Sequence, residues 1–120
     1  MTSTASALPL AALEIAFNRL LAIDPPTRER LAALAGQVIA IEVPALGLML
    51  AVAPHAEGVQ LLSPPPQEAD AHIRGRLADL LQAQRGGGMG ALDIEGDKHL
   101  ASAFATALRG ARIDWAELLA

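Results

Sequence analysis

The sequence predicts one domain of the α/β class, in its α+β form: a five-stranded, mainly antiparallel sheet covered by helices, with an apolar slot between the two layers. Three observations predict it. Apolar residues recur with helical spacing at the front of the chain and again in its second half. Between residues 37 and 63 the period changes to two and is interrupted by prolines. Hydrophobic residues make up 52% of the 120 and charged ones 18%, which is far from the polar regime of disordered chains. A domain of this length buries about two-thirds of the surface its unfolded chain exposes, so residues 1–120 read as a single folding unit.

Taken in order, residues 9–23 place Leu10, Leu13, Phe17, Leu20 and Leu21 on one helical face, with Glu14 and Asn18 on another. Asp24 then offers an N-cap oxygen, Pro25 suits a first helical turn, and Gly36 can take the left-handed conformation that stops a helix, so residues 25–35 form a second one. Residues 37–43, 47–53 and 58–63 alternate as three short strands of an antiparallel meander, separated by Pro44, by residues 54–57 and by the prolines at 64–66. Residues 69–74 form a fourth strand with Ala71 and Ile73 inward and His72 and Arg74 outward. Residues 76–84 form a helix with Leu77, Leu80 and Leu81 on one side. It ends in the glycine-rich run 86–90, which reads as a flexible hinge around Met89. Residues 92–95 are a fifth strand, Asp97 caps a helix that runs to Arg109, and Asp114 with Glu117 resembles a capping box opening a final turn or two over 113–119.

Charge and composition remove several function classes. Nine Lys and Arg against thirteen Asp and Glu give a formal charge of -4, which repels a phosphate backbone, so nucleic acid is not a partner. The absence of cysteine rules out disulfides and thiolate metal sites and suits a cytoplasmic protein. The first apolar stretch lacks a basic leader and contains Glu14, unlike a secretory signal. The uncharged stretch 43–54 falls short of the ~20 residues that span a bilayer.

Catalytic readings fare no better. His55, His72 and His99 are the only imidazoles, and no two have the spacing of a helical metal site, so no metal or other cofactor is expected. Ser63 lacks the Gly-x-Ser-x-Gly setting of an activated nucleophile, and Ser102 lies in an alanine-rich helix. Asp93 and Glu95 share an outward strand face with nothing apolar beside them and read as a solvated face rather than an acid/base pair. The glycine run lacks the Lys-Ser/Thr of a phosphate loop. Arg74, Arg76 and Arg85 read as ordinary solubilising charges rather than as a site for anionic headgroups. No enzyme is expected.

The anomaly lies in the first two strands. Ile39, Ile41 and Val43 oppose Val38 and Ala40; Leu48, Leu50 and Val52 oppose Met49 and Ala51. Neither face is polar, which calls for helices on both sides, a partner, or an apolar ligand. The candidate lining of a ligand slot is Phe17 and Leu21 from the first helix, Leu50 and Val52 from the second strand, and Leu81 and Met89 around the hinge. Phe104 and Leu108 from the helix after Asp97, and Trp115 and Leu118 from the terminal turn, complete it. Phe17 and Phe104 can equally be plain core filling, whereas Met89 and Trp115 lean toward a site. A methionine on a hinge is adaptable, and a tryptophan near a terminus can serve as a lid.

Specific stretches carry a family likeness. At the front they include Leu13, Glu14, Phe17, Asn18, Leu20, Leu21, Asp24, Pro25, Arg28, Leu31, Leu34, Gly36, Val38 and Ile39. Asp70, Ile73, Gly75, Leu80, Leu81, Leu92, Ile94, Gly96 and Asp97 follow in the middle, and Ile113, Asp114, Trp115, Glu117, Leu118 and Leu119 at the end. Together they span nearly the whole chain and resemble the sterol carrier protein type 2 family, more closely its UbiJ branch of ubiquinone biosynthesis accessory factors. Members of that branch continue into a polar helical tail that engages a partner accessory protein. The resemblance thus leaves room for a longer chain of which this is the front part. The prolines at 64–66 and the glycines at 86–90 are individual to this sequence.

What the resemblance implies is a non-catalytic domain that binds polyprenyl lipids, the isoprenoid-tailed ubiquinone intermediates, and presents them to other ubiquinone biosynthesis proteins. Burying a methylene contributes about 0.8 kcal/mol, so ten tail carbons supply on the order of 8 kcal/mol before ordering costs. A long tail exceeds any pocket of a small domain, so a homodimer or peripheral contact with a membrane is expected to shield the rest. The alternative is an interaction or scaffold module of the same complex whose interior is fully packed.

Overall fold

The computed structural model describes residues 10–111. The turn expected over 113–119, with Trp115 and Leu118, lies outside the described residues. The elements, in order, are α1 (Leu10–Ala22), α2 (Pro25–Ala32), β1 (Ile39–Val43), a 3-10 turn (Pro44–Leu46), β2 (Leu48–His55), β3 (Gly58–Leu62), β4 (Ala71–Arg74), α3 (Leu77–Gln84), β5 (Asp93–Gly96) and α4 (Lys98–Leu108). Every element expected within 10–111 is present, and the five strands form one sheet in the order β3-β2-β1-β4-β5.

The meander holds: β1 pairs antiparallel with β2, and β2 with β3. β4 returns beside β1 in parallel, with Ile41 opposite Ile73, and β5 closes the other edge antiparallel to β4. The parallel pair has a sequence reason, because the long proline-rich connection after β3 carries the chain back across the sheet before β4 begins.

Four boundaries differ from the sequence reading by two residues or more, each for a physical reason. α2 stops at Ala32 rather than near residue 35. Its last turns tighten into i→i+3 bonds, from Leu34 N–H to Leu31 O (2.9 Å) and from Ala35 N–H to Ala32 O (3.0 Å), before Gly36 reverses the chain at φ +88°. β2 continues through Pro54 to His55. β1 has already ended opposite Val52, so at Pro54 only β3 remains alongside and the proline meets an edge rather than a sheet interior. The first and fourth strands start at Ile39 and Ala71, because Val38 and Asp70 are taken up in a local clasp. Asp70 N–H donates to Val38 O (2.8 Å) and Val38 N–H to Asp70 Oδ2 (2.7 Å).

The helices start where their caps allow. Asp24 accepts from the Thr27 backbone and hydroxyl (3.4 and 2.8 Å) with Pro25 and Pro26 in the first turn, and Asp97 accepts from Leu100 N–H (2.9 Å). Glu14 and Asn18, two polar residues of α1, tie that helix to the edge strand. Asn18 exchanges two hydrogen bonds with the Val59 backbone (2.8 and 2.9 Å), and Glu14 Oε1 accepts from Leu61 N–H (2.6 Å). Side chains of α1 therefore satisfy backbone groups of β3 that no further strand meets.

All four described helices pack on one face of the sheet. That face presents Ile39, Leu50, Val52, Leu61 and Ile73 to Phe17, Leu21, Leu31, Leu100, Phe104 and Leu108. By register the opposite face carries Ala40, Glu42, Met49, Ala51, His72 and Arg74. Its apolar character comes from alanines and from Met49, which is 44% exposed. Glu42 lies 3.5 Å from His72 Nε2 and 3.9 Å from Arg74 Nε. The two-sidedness seen in the sequence thus resolves into one densely apolar face and one small-residue face with a charged row.

Candidate functional site

Between the helices and the sheet lies a cavity of about 150 Å³. Its floor is the apolar face of the sheet: Ile41 and Val43 from β1, Leu48, Leu50 and Val52 from β2, Leu61 from β3 and Ile73 from β4. Alternation puts these residues on one side, and the pairing of Ile41 with both Leu50 and Ile73 sets three strands level across the floor. Leu13 and Phe17 of α1 close one flank, and Phe104, Ala105 and Leu108 of α4 form part of the roof. The other flank is α3 with Leu77, Leu80, Leu81, Ala83 and Gln84, followed by Met89 and Leu92 after the glycine run.

Among the described residues, the lining is apolar except for Gln84. Its Nε2 donates to Leu108 O at 2.6 Å, spanning from α3 to the last turn of α4. That carbonyl row is held from the other side by Arg30, which donates to Ala107 O (3.0 Å) and Arg109 O (3.2 Å). No charged side chain among the described residues lines the cavity. Among the described residues, no cluster of three or more His, Asp or Glu gathers to hold a metal. Outside the cavity, the hydrogen bond from Arg76 to Asp79 (2.9 Å) holds the exposed guanidinium above its usual pKa range.

The structure brings seven of the ten sequence-assigned residues to this one cavity: Phe17, Leu50, Val52, Leu81, Met89, Phe104 and Leu108. Leu21, 1% exposed, does not line the cavity and packs into the core instead. Trp115 and Leu118 lie outside the described residues. The residues that sequence reasoning missed are mainly Leu13, Ile41, Val43, Leu48, Leu61 and Ile73, which complete the flank and the floor. The period-two pattern of β1 carried the signal for Ile41 and Val43, but only strand order shows which of the apolar positions surround a gap.

Comparison with known proteins gives this architecture a family. The family model of the SCP-2 sterol transfer family matches residues 17–109. The chain belongs to the SCP-2 sterol transfer family. The match runs from Phe17 in α1 to the end of α4, so it takes in every strand and nearly all of the cavity lining. Among solved structures, one described as the UbiJ-SCP2 ubiquinone synthesis protein superposes with a TM-score of 0.72. It is 20% identical and covers 90% of this chain and 98% of its own. The inverting sec-alkylsulfatase Pisa1 from Pseudomonas sp. superposes with a TM-score of 0.59 at 12% identity, over 69% of this chain and 14% of the enzyme. At these identities the likeness is one of fold, and in the sulfatase the matched portion is a small part of a longer chain. No curated protein sequence matches the chain. Among the described residues, no helix is long and apolar enough to cross a membrane.

Proposed function

We propose that this SCP-2 domain binds an apolar, isoprenoid-tailed lipid of the ubiquinone-precursor class and presents it to biosynthetic enzymes without itself catalysing a reaction. The observation that carries the reading is a cavity walled almost entirely by aliphatic and aromatic side chains in a domain of the sterol transfer family. The name of the UbiJ-SCP2 neighbour supports the ubiquinone class. An interior with a cavity favours a carrier over a solid scaffold module, whose core would be filled to crystal-like density.

Magnitude limits how the site works. A cavity of about 150 Å³ is the size that takes a benzene ring, about six carbons. At about 0.8 kcal/mol per carbon this supplies roughly 5 kcal/mol, an affinity no better than sub-millimolar. A tail held more tightly needs more enclosed length, from widening of the cavity or from cover by a membrane surface, a second copy or a partner enzyme.

Native mass spectrometry of delipidated protein in detergent-free buffer tests the reading. A prenylated quinone precursor binds at one molecule per domain, and an equally sized polar phenol does not. Absence of any adduct, together with no lipid extractable from freshly purified protein, refutes it.

A further inference from the structure

The cavity is too small for the tail proposed above, and its walls are unequal. α4 is N-capped by Asp97 and buries Leu100, Ala101, Phe104, Ala107 and Leu108. α3 has no side-chain cap and buries Ala83 alone; Leu77, Leu80 and Leu81 are half-buried and turn their inner sides to the cavity. α3 leans mainly on α4, whereas α1 lies along β3. Leu81 lines both the cavity and an open depression on the outside of α3, so the wall there is one side chain thick. The segment beyond α3 is built to bend: Gly86 and Gly88 sit at φ +91° and +94°, and Gly87 and Gly90 add freedom. Among the described residues, one side-chain hydrogen bond holds this end shut, from Gln84 Nε2 to Leu108 O at 2.6 Å.

We propose that α3 is a moving wall: it swings out on the glycine run to admit an apolar chain, and the bond from Gln84 to Leu108 is its latch. The physical basis is a difference in local stability, since a helix with few buried contacts opens without global unfolding. The carbons gained beneath α3 offset the loss of its modest packing. This proposal rests on the carrier reading for its purpose, but the opening itself is measurable without any ligand.

The test combines hydrogen exchange with uptake of a fluorescent apolar probe, N-phenyl-1-naphthylamine, by the full chain. In the wild type, the hydrogen-bonded amides of α3 exchange about a hundredfold or more faster than those of Phe104–Leu108. Gln84→Leu removes the latch, raising α3 exchange and probe uptake about fivefold and leaving α4 protection unchanged. Gly90→Ala stiffens the hinge without strain, because that glycine has an ordinary φ and open space for a Cβ. It slows uptake about twofold, which a merely destabilised fold does not do. Exchange of α3 and α4 together as one unit overturns the proposal, as does a Gln84→Leu protein with unchanged uptake and α3 exchange. A protein whose α3 opens locally but which takes up no probe overturns the carrier reading and leaves the moving wall standing.

Discussion

Ala105 offers a test in which stability and binding move in opposite directions. It is half-buried on α4 and lines the cavity, so Ala105→Leu extends three carbons toward empty space without disturbing helix propensity. Cavities cost about 24 cal/mol per Å³, so 150 Å³ represents about 3.6 kcal/mol of recoverable stability. Three buried carbons recover at most about 2.4 kcal/mol. Ordering the leucine side chain removes about 0.5–1 kcal/mol of that, leaving a net gain of about 1.5 kcal/mol. Urea denaturation reads this as a higher midpoint at unchanged slope, and thermal melting as a rise of about 5 °C. The same three carbons displace half of what the site can enclose, and native mass spectrometry registers a loss of prenylated-precursor affinity of about 50-fold. If the interior were solid, the substitution would overpack it and cost about 1–3 kcal/mol. A destabilised variant with undiminished binding refutes both the cavity and its use.

Other expectations concern the frame. Asn18→Ala leaves Val59 N–H and C=O without their helix partners and lowers stability by about 2 kcal/mol in urea titrations, with exchange of the β3 amides accelerated most. Gly96→Ala places a Cβ 2.6 Å from Asp70 O at a φ of +82°. It destabilises by more than about 1 kcal/mol, whereas Gly90→Ala changes the melting temperature little. Arg30→Ala releases the Ala107 and Arg109 carbonyls; because Arg30 is exposed the loss is limited to about 1 kcal/mol, and it appears as faster exchange in the last turn of α4. Affinity measured against tail length by native mass spectrometry rises with each isoprene unit until the enclosed space is full, then stays flat. A plateau already reached at one unit indicates that no wall moves.

How much of this was legible in the residues depended on whether a local rule or a long-range pairing set each feature. Asp24, Asp97 and Gly36 act within a few residues of themselves, so the helix starts and the turn into β1 followed from capping chemistry alone. The period-two stretch announced β1, β2 and β3 for the same reason. The neighbour of β1 on its far side did not follow, because the pairing of Ile41 with Ile73 joins residues 32 apart across a proline-rich connection. Glu14 and Asn18 read as a polar helix face; that they satisfy an edge strand is visible only once β3 lies beneath them. For the site, residue type identified the apolar positions of α1, β2 and α4. Telling a wall from a filled core requires the gap itself, which is why Leu21 was placed with Phe17 although four residues along the same helix takes it out of the cavity and into solid packing.

The apolar lining has a consequence for how such a domain contributes to a reaction sequence. Among the described residues the one polar side chain on the walls, Gln84, already has its amide nitrogen on Leu108 O. On the carrier reading proposed above, the site therefore holds a tail by area and offers little to discriminate the ring at its head, since such discrimination needs a placed polar partner. Successive intermediates that share one tail and differ at the ring then bind alike. Uniform affinity suits a component that keeps each intermediate soluble while several enzymes modify the exposed head in turn, because a carrier that favoured one intermediate would hold back the step that consumes it. On that reading the work of specificity falls to the enzymes. On the carrier reading the domain contributes enclosure, and with the moving wall proposed above α3 sets how readily the tail enters and leaves it.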